Sequence, residues 1–223
     1  MKQLIRFAVS LVLVSGGAIA SELPTDLTDS LQPEQFAGAP VIGKFRNTYY
    51  YVASERDFSS YEINTAIRDL QGNVIEQTSK QYKKALDIEG SGKLRNDKVV
   101  NYHGRVDGDV RYKVVSEPWG RGVGTCALSP FHTIAVDPET IPLGSVVQID
   151  ETKGMLLPDG SHHNGLWKAE DIGNAIKKDR IDLFIGLKKY EGTLSRAGID
   201  NLEALTVRLV QKPSGHSCKD EQP

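Results

Sequence analysis

The sequence predicts a mainly β protein built around a small closed barrel with side elements. Short apolar or aromatic segments recur at fairly even spacing, few stretches have a helical period, and 21 glycines with 10 prolines punctuate the remainder with turns. The chain has 223 residues, with 27 Lys and Arg against 29 Asp and Glu. Its first twenty residues stand apart: Lys2 and Arg6 give a positive start, Phe7 to Val14 is apolar, and Ala18-Ile19-Ala20 is a small-residue cleavage site. The apolar run is too short for a membrane span, and no cysteine follows it to take a lipid anchor. The expectation is a soluble monomer exported to the periplasm or medium, beginning near Ser21, with no stable membrane insertion. Without the leader's two basic residues the net charge is −4, so nucleic acid is excluded as a partner.

Taken in order, residues 21–44 read as an extended arm, with Pro24, Pro33 and Pro40 and no apolar period. Phe45 to Val52 is short and aromatic, a strand. Ala66 to Ile75 reads as two strands turning at Gln71-Gly72-Asn73. Thr78 to Asp87 is the clearest helix: Ser79 caps it, Tyr82 and Leu86 share a face, and Gly90 with Gly92 ends it. Lys98 to Tyr102 and Asp109 to Val115 are strands around a glycine turn.

The loop Glu117 to Thr125 is dense in glycine, but Thr125 stands where a dinucleotide loop would have its third glycine, and no strand-to-helix unit surrounds it. Ile134 to Val136 and Ser145 to Ile149 are strands separated by turns at Pro138, Pro142 and Gly144. Glu151 to Gly165 is a polar insert. A short helix is expected over Leu187 to Ala197 and a closing strand over Ala204 to Val210. Cys126 and Cys218 suit an oxidising compartment, where they either pair or stay as buried thiols.

The unusual stretch runs from Trp167 to Gly186. Asp171 precedes a glycine turn, and Asp182 is set among Ile181, Leu183, Phe184 and Ile185. Desolvating a lone carboxylate is costly unless something pairs with it or uses it. If a chain reversal brings both aspartates to one rim, repulsion and apolar neighbours hold one of them protonated near neutrality, as a glycosidic leaving oxygen requires. The alternative is structural: Asp171 caps its turn, and Asp182 pairs with Lys177, Lys178 or Arg180. Asp137, before Pro138, reads as a turn opener, and Glu89 as a cap-region residue or a cleft wall. His162 and His163 lack a third metal ligand and read as a solvated loop. Trp119 and Trp167 either stack on sugars or fill the core. No acyl-transfer nucleophile motif is present, and Cys126 lacks a positive neighbour.

Ile134-Ala-Val-Asp-Pro, Ile141-Pro-Leu-Gly, Ala169-Glu-Asp-Ile-Gly-Asn-Ala-Ile and Ile181-Asp-Leu-Phe-Ile-Gly, in that order, resemble the 3D (three-aspartate) domain. That domain occurs in the membrane-bound lytic transglycosylase A family, and the resemblance covers roughly Trp119 to Val210. It implies a six-stranded double-psi β-barrel over residues 116–212, an N-terminal region over 45–115 with the first barrel strand and a smaller α+β second lobe, and a tail over 213–223. It implies a groove for peptidoglycan glycan strands and no cofactor or metal. Asp182 would be the single acid and base of a lytic cleavage, supported by Asp171, while Asp137 would hold the site or the substrate. Glu89, Thr125, Trp167, Gly173 and Asn174 are the expected substrate-binding residues. Asn174 replaces the family's usual second glycine, where a positive φ or a close approach is at stake. Hydrolytic cleavage, and glycan binding without cleavage, remain as alternatives.

Overall fold

The computed structural model describes residues 38–213. The expected leader, most of the arm, and the tail with Cys218 lie outside the described residues. In chain order the elements are β1 (Val41–Ser54), β2 (Thr65–Arg68), β3 (Val74–Thr78), α1 (Lys80–Glu89), β4 (Ser91–Lys93), β5 (Val99–Val106) and β6 (Asp109–Val115). There follow β7 (Thr133–Ala135), β8 (Val146–Ile149), β9 (Leu166–Asp171), β10 (Arg180–Leu187), α2 (Gly192–Arg196) and β11 (Ala204–Gln211).

Six strands close a barrel in the order β10-β7-β9-β8-β11-β1, with β1 pairing back onto β10. Two of the pairs, β1 with β10 and β7 with β9, are parallel, and the others in the ring are antiparallel. This is the closed six-stranded barrel the sequence predicts. Closure removes the free edges that short strands would otherwise expose. The strands alternate: Ile181, Leu183 and Ile185 face the core with Phe45, Ile134, Val147, Ala169 and Val207, while Asp182 and Phe184 are left on the other side of β10.

β1 begins at Val41, because Gly43 and Lys44 already pair with Val207 and Thr206 of β11, so residues 41–44 are strand and not arm. At its far end β1 leaves the barrel and pairs with β4, which continues into β5 and β6. A second core forms there, in which Tyr82 and Leu86 of α1 pack with Ile67, Val100 and Tyr112. Ser79 caps the helix by accepting the Tyr82 N–H at 3.1 Å. The helix runs to Glu89, two residues past the expected end, because Gly90 takes the left-handed conformation at φ 76° and returns its N–H to Leu86.

The loop before β7 ties the second lobe to the barrel. The Asn101 side chain of β5 accepts the Arg121 N–H at 3.1 Å and donates to the Arg121 carbonyl, while Val123 donates to the Glu170 carbonyl of β9 at 2.9 Å. Gly122 is required by this approach: a Cβ there would stand 2.2 Å from Glu170 O.

Three expectations are corrected. Trp167 lies in the core at 0 % exposure, because β9 points Trp167 and Ala169 inward; its Nε1 donates to Thr152 Oγ1 at 2.9 Å. No face of it is open to a sugar. His163 is not solvated: its ring stacks on Trp167 at 4.8 Å, its Nδ1 accepts the Gly165 N–H, and its Nε2 donates to the Phe131 carbonyl. Burial pushes it down to about 4, so it stays neutral and fixes the insert. The helix expected over Leu187 to Ala197 is instead a 3-10 turn at Lys188–Tyr190 and the five-residue α2, separated by Glu191.

Gly122→Ala is expected to lower unfolding stability by about 1–3 kcal/mol, since backbone must yield to the new methyl. Urea denaturation against wild type checks it.

Candidate active site

The strand register assembles the site. Asp171, Ala135, Asp182 and Thr48 are successive partners across β9, β7, β10 and β1. Directly paired residues project to the same face, so both aspartates and Thr48 share one side of the barrel wall. Two inter-strand steps separate the aspartates, roughly 10 Å between their Cα atoms. On the same face Tyr50 packs on Phe184 at 5.0 Å between ring centroids, and Trp119 meets Phe184 edge-on at 6.5 Å. Trp119 is half-buried where it packs on this wall.

The third aspartate works differently. Asp137 is 6 % exposed, and its carboxylate accepts the Lys178 N–H at 2.8 Å and the Glu139 N–H at 3.1 Å. These bonds hold it below the usual carboxylate range. It clamps the loop that joins Asp171 to β10. Within that loop Lys178 is the residue with positive φ, at 56°. Asn174 is exposed and is not among the residues of positive φ, so the family's missing glycine brings no backbone strain. Gly173 is needed for space, since a Cβ there would stand 2.8 Å from Ile176 Cγ1.

Asp182 and Asp171 are both displaced upward. Burial pushes Asp182 up to about 6, with the Thr48 hydroxyl and the Arg180 charge pulling partly back. Its Oδ1 is buried with no hydrogen-bond partner. The structural alternative of an ion pair to Lys177, Lys178 or Arg180 is not what forms: Arg180 donates to Thr48 Oγ1 at 3.4 Å, and the Lys178 backbone serves Asp137. Burial likewise pushes Asp171 up to about 7, with the charges of Asp182 and Glu170 adding to it. Asp171 does also cap its turn, accepting the Ile172 N–H at 2.8 Å. The Tyr50 hydroxyl is buried without a hydrogen bond of normal geometry, yet it lies near enough to favour the Asp171 carboxylate. Tyr50 itself is raised well above its ordinary value, first by burial and then by Asp171.

Glu89 reaches the site from the second lobe. It accepts the Tyr51 N–H at 3.1 Å, is pushed up to about 7 chiefly by burial, and feels the charge of Asp182. A carboxylate at a helix C-terminus sits against the macrodipole, so α1 gains nothing from it there. Thr125 is exposed on the loop that packs on β9. Thr48, Tyr50 and Tyr51 escaped sequence reasoning. The signal was present in the run Tyr49-Tyr50-Tyr51, whose period of two sends neighbours to opposite faces.

Cys126 is not a free thiol, and Cys218 lies outside the described residues. Among the described residues no group of three His, Cys, Asp or Glu is arranged to hold a metal ion, and no helix is long and apolar enough to cross a membrane.

The 3D domain family profile matches residues 132–204, a span that contains Asp137, Asp171 and Asp182. The chain carries a segment similar to the 3D domain. Its fold is like that of MltA from Escherichia coli, seen with bound chitohexaose, at a TM-score of 0.54 and 16% identity, covering 77% of this chain and 73% of that one. A membrane-bound lytic murein transglycosylase from Agrobacterium tumefaciens aligns at a TM-score of 0.47 and 15% identity, over 76% of this chain and 74% of that one. At such identities the likeness is one of fold. No curated protein matches the sequence.

The raised carboxyls have a consequence for stability. Asp171 is neutral in the folded state up to about 7, whereas an unfolded aspartate ionises near about 4. The folded state therefore binds more protons between those values, and stability is lost as pH rises through that window. Asp171→Asn is expected to abolish this part of the loss, and to be more stable than wild type at pH ~8 but not at pH ~4. Urea denaturation at both pH values measures it.

Proposed function

We propose that the chain is a peptidoglycan lytic transglycosylase, exported and soluble, with Asp182 as its single general acid and base. The observation that carries this reading is Asp182 itself: a carboxyl pushed up to about 6, with one oxygen buried and unclaimed by any protein partner. A group neutral at mildly acid pH, with free hydrogen-bonding capacity, is suited to protonating a leaving oxygen.

In this reading Asp182 donates its proton to the oxygen between N-acetylmuramic acid and N-acetylglucosamine as the C1–O bond breaks. The muramoyl C6 hydroxyl oxygen then bonds to C1, and its proton passes to the Asp182 carboxylate. The 1,6-anhydro ring closes and the acid is regenerated, so no second carboxylate need act as nucleophile or activate water. Asp171, with Tyr50 beside it, sets the electrostatic surroundings of Asp182. Asp137 holds the loop between them. Glu89, presented by the second lobe, faces the glycan across from the barrel wall. The 3D-domain match, the MltA fold and the bound chitohexaose in MltA support a glycan strand as the substrate class.

Asp182→Asn is expected to keep the fold and lower release of 1,6-anhydromuropeptides from purified sacculi by at least about 100-fold. Mass analysis of the sugar ends reads this directly. Reducing ends from wild type would make the protein a hydrolase, and sedimentation with sacculi without any soluble product would make it a binding module. Because the acid must be protonated, kcat/KM on glycan strands is expected to fall as pH rises through about 6.

A further inference from the structure

Thr48 sits at one end of the register row that carries the candidate active site. It is the parallel partner of Asp182 across β1 and β10, which puts the two Cα atoms about 4.8 Å apart with both side chains on one face. Arg180, two residues before Asp182 on β10, shares that face, and its Nη2 donates to Thr48 Oγ1 at 3.4 Å. Thr48 is β-branched and half-buried, so few χ1 settings are open to it and the strand fixes where its oxygen lies.

A hydroxyl has one proton to donate and two lone pairs, whereas a guanidinium only donates. Arg180 therefore occupies a lone pair of Thr48 Oγ1 and leaves the O–H proton for another acceptor. Among the described residues that proton has no acceptor of normal hydrogen-bond geometry, and the ionisable group paired with Thr48 is Asp182. With Asp182 protonated the hydroxyl gains little; with Asp182 ionised the same O–H meets a full charge, and such a bond is roughly twice as strong. Arg180 adds to this by polarising the oxygen from its other side. The direction agrees with the state of Asp182, where burial favours the neutral form and Thr48 with Arg180 favours the carboxylate. The remaining elements around Asp182 offer no such help. Ala135 of β7 is uncharged, while Asp171 of β9, Glu89 of α1 and Tyr50 of β1, which all feel the charge of Asp182, are themselves pushed up.

We propose that Thr48, held by Arg180, is a positioning residue for Asp182 that donates its O–H to the carboxylate formed once the acid has given its proton to the glycosidic oxygen. Thr48 keeps its own proton throughout. The proton of the muramoyl C6 hydroxyl later neutralises Asp182 and releases the Thr48 bond. The stabilisation is thus weak in the resting acid and grows as charge develops, which lowers the barrier without tightening substrate binding. Its part in the reaction rests on the transglycosylase reading; the tie between Thr48 and the Asp182 carboxylate rests on the strand register and the Arg180 contact alone.

Two measurements on the full chain test it: NMR titration of the Asp182 carboxyl in protein labelled with carbon-13 at its aspartates, and kcat and KM on soluble glycan strands as functions of pH. Thr48→Val keeps the side-chain shape and removes the hydroxyl. It is expected to move the Asp182 midpoint upward by about 1 pH unit, to carry the alkaline limb of kcat/KM with it, and to lower kcat about tenfold while KM stays within about twofold. Thr48→Ser, which returns the hydroxyl, is expected to restore each quantity to within about twofold of wild type. An unmoved midpoint in Thr48→Val, a loss carried by KM alone, or a serine variant no better than the valine one would each overturn the proposal, because a residue that only packs leaves the titration of Asp182 where it was. Thr48→Ala takes the place of valine if that variant lacks the wild-type circular dichroism spectrum. The NMR midpoint needs no turnover, so the two readings fail separately: wild type that releases no anhydro product counts against the transglycosylase, and an unmoved midpoint against Thr48.

Discussion

The parallel pairing of β1 with β10 is the constraint on which the rest depends. It closes the barrel, and its register puts Thr48 beside Asp182. The same β1 then runs on into the second sheet, where its Tyr51 N–H holds Glu89. One strand of fourteen residues therefore belongs to both lobes, and the irregularity between Tyr50 and Val52 falls where it passes from one to the other. A bulge at that point re-aims side chains, as bulges next to functional sites commonly do. Shifting the register by one residue would turn Thr48 and Tyr50 into the core and bring Tyr49 to the carboxylates.

Desolvation then distributes the chemistry. Asp137, Asp171 and Asp182 are one residue type in one domain, yet their carboxyls diverge in opposite directions. Asp137 accepts two backbone N–H groups and is held ionised. Asp182 has an oxygen with no partner and is held toward the neutral form. Asp171 is intermediate in partners, with one backbone N–H and a nearby phenol, but burial dominates and it rises as well. The difference lies in what each backbone neighbour can donate, and so in where the β7 and β9 strands end.

Sequence periodicity determined much of the fold. The period-two alternation of Ile181, Leu183 and Ile185 around Asp182, and the Ser79 cap with Gly90 at the other end of α1, are local properties that survive into the tertiary structure. The ordered 3D motifs located all three aspartates, and chemistry singled out Asp182 as a carboxylate whose desolvation needed a reason. Where local reading failed, the cause was a long-range contact. Trp167 has the amphipathic character of a cleft residue, but the direction of β9 sends it to the core. His163 reads as a loop residue until Phe131, distant in sequence, takes its N–H.

The tertiary structure alone decided which carboxyls share a face and which are shifted toward the neutral form. Glu89 and Asp182 are distant in sequence and belong to different lobes, and only the shared β1 brings the charge of one to bear on the other. The orphaned Asn47 amide is likewise invisible in sequence, because its burial and its anchoring to Leu202 come from the packing of a C-terminal segment against an N-terminal strand. Composition and period are local quantities that fix which residues turn inward. Register, closure and desolvation are properties of the assembled barrel, and the chemistry of this protein depends on those.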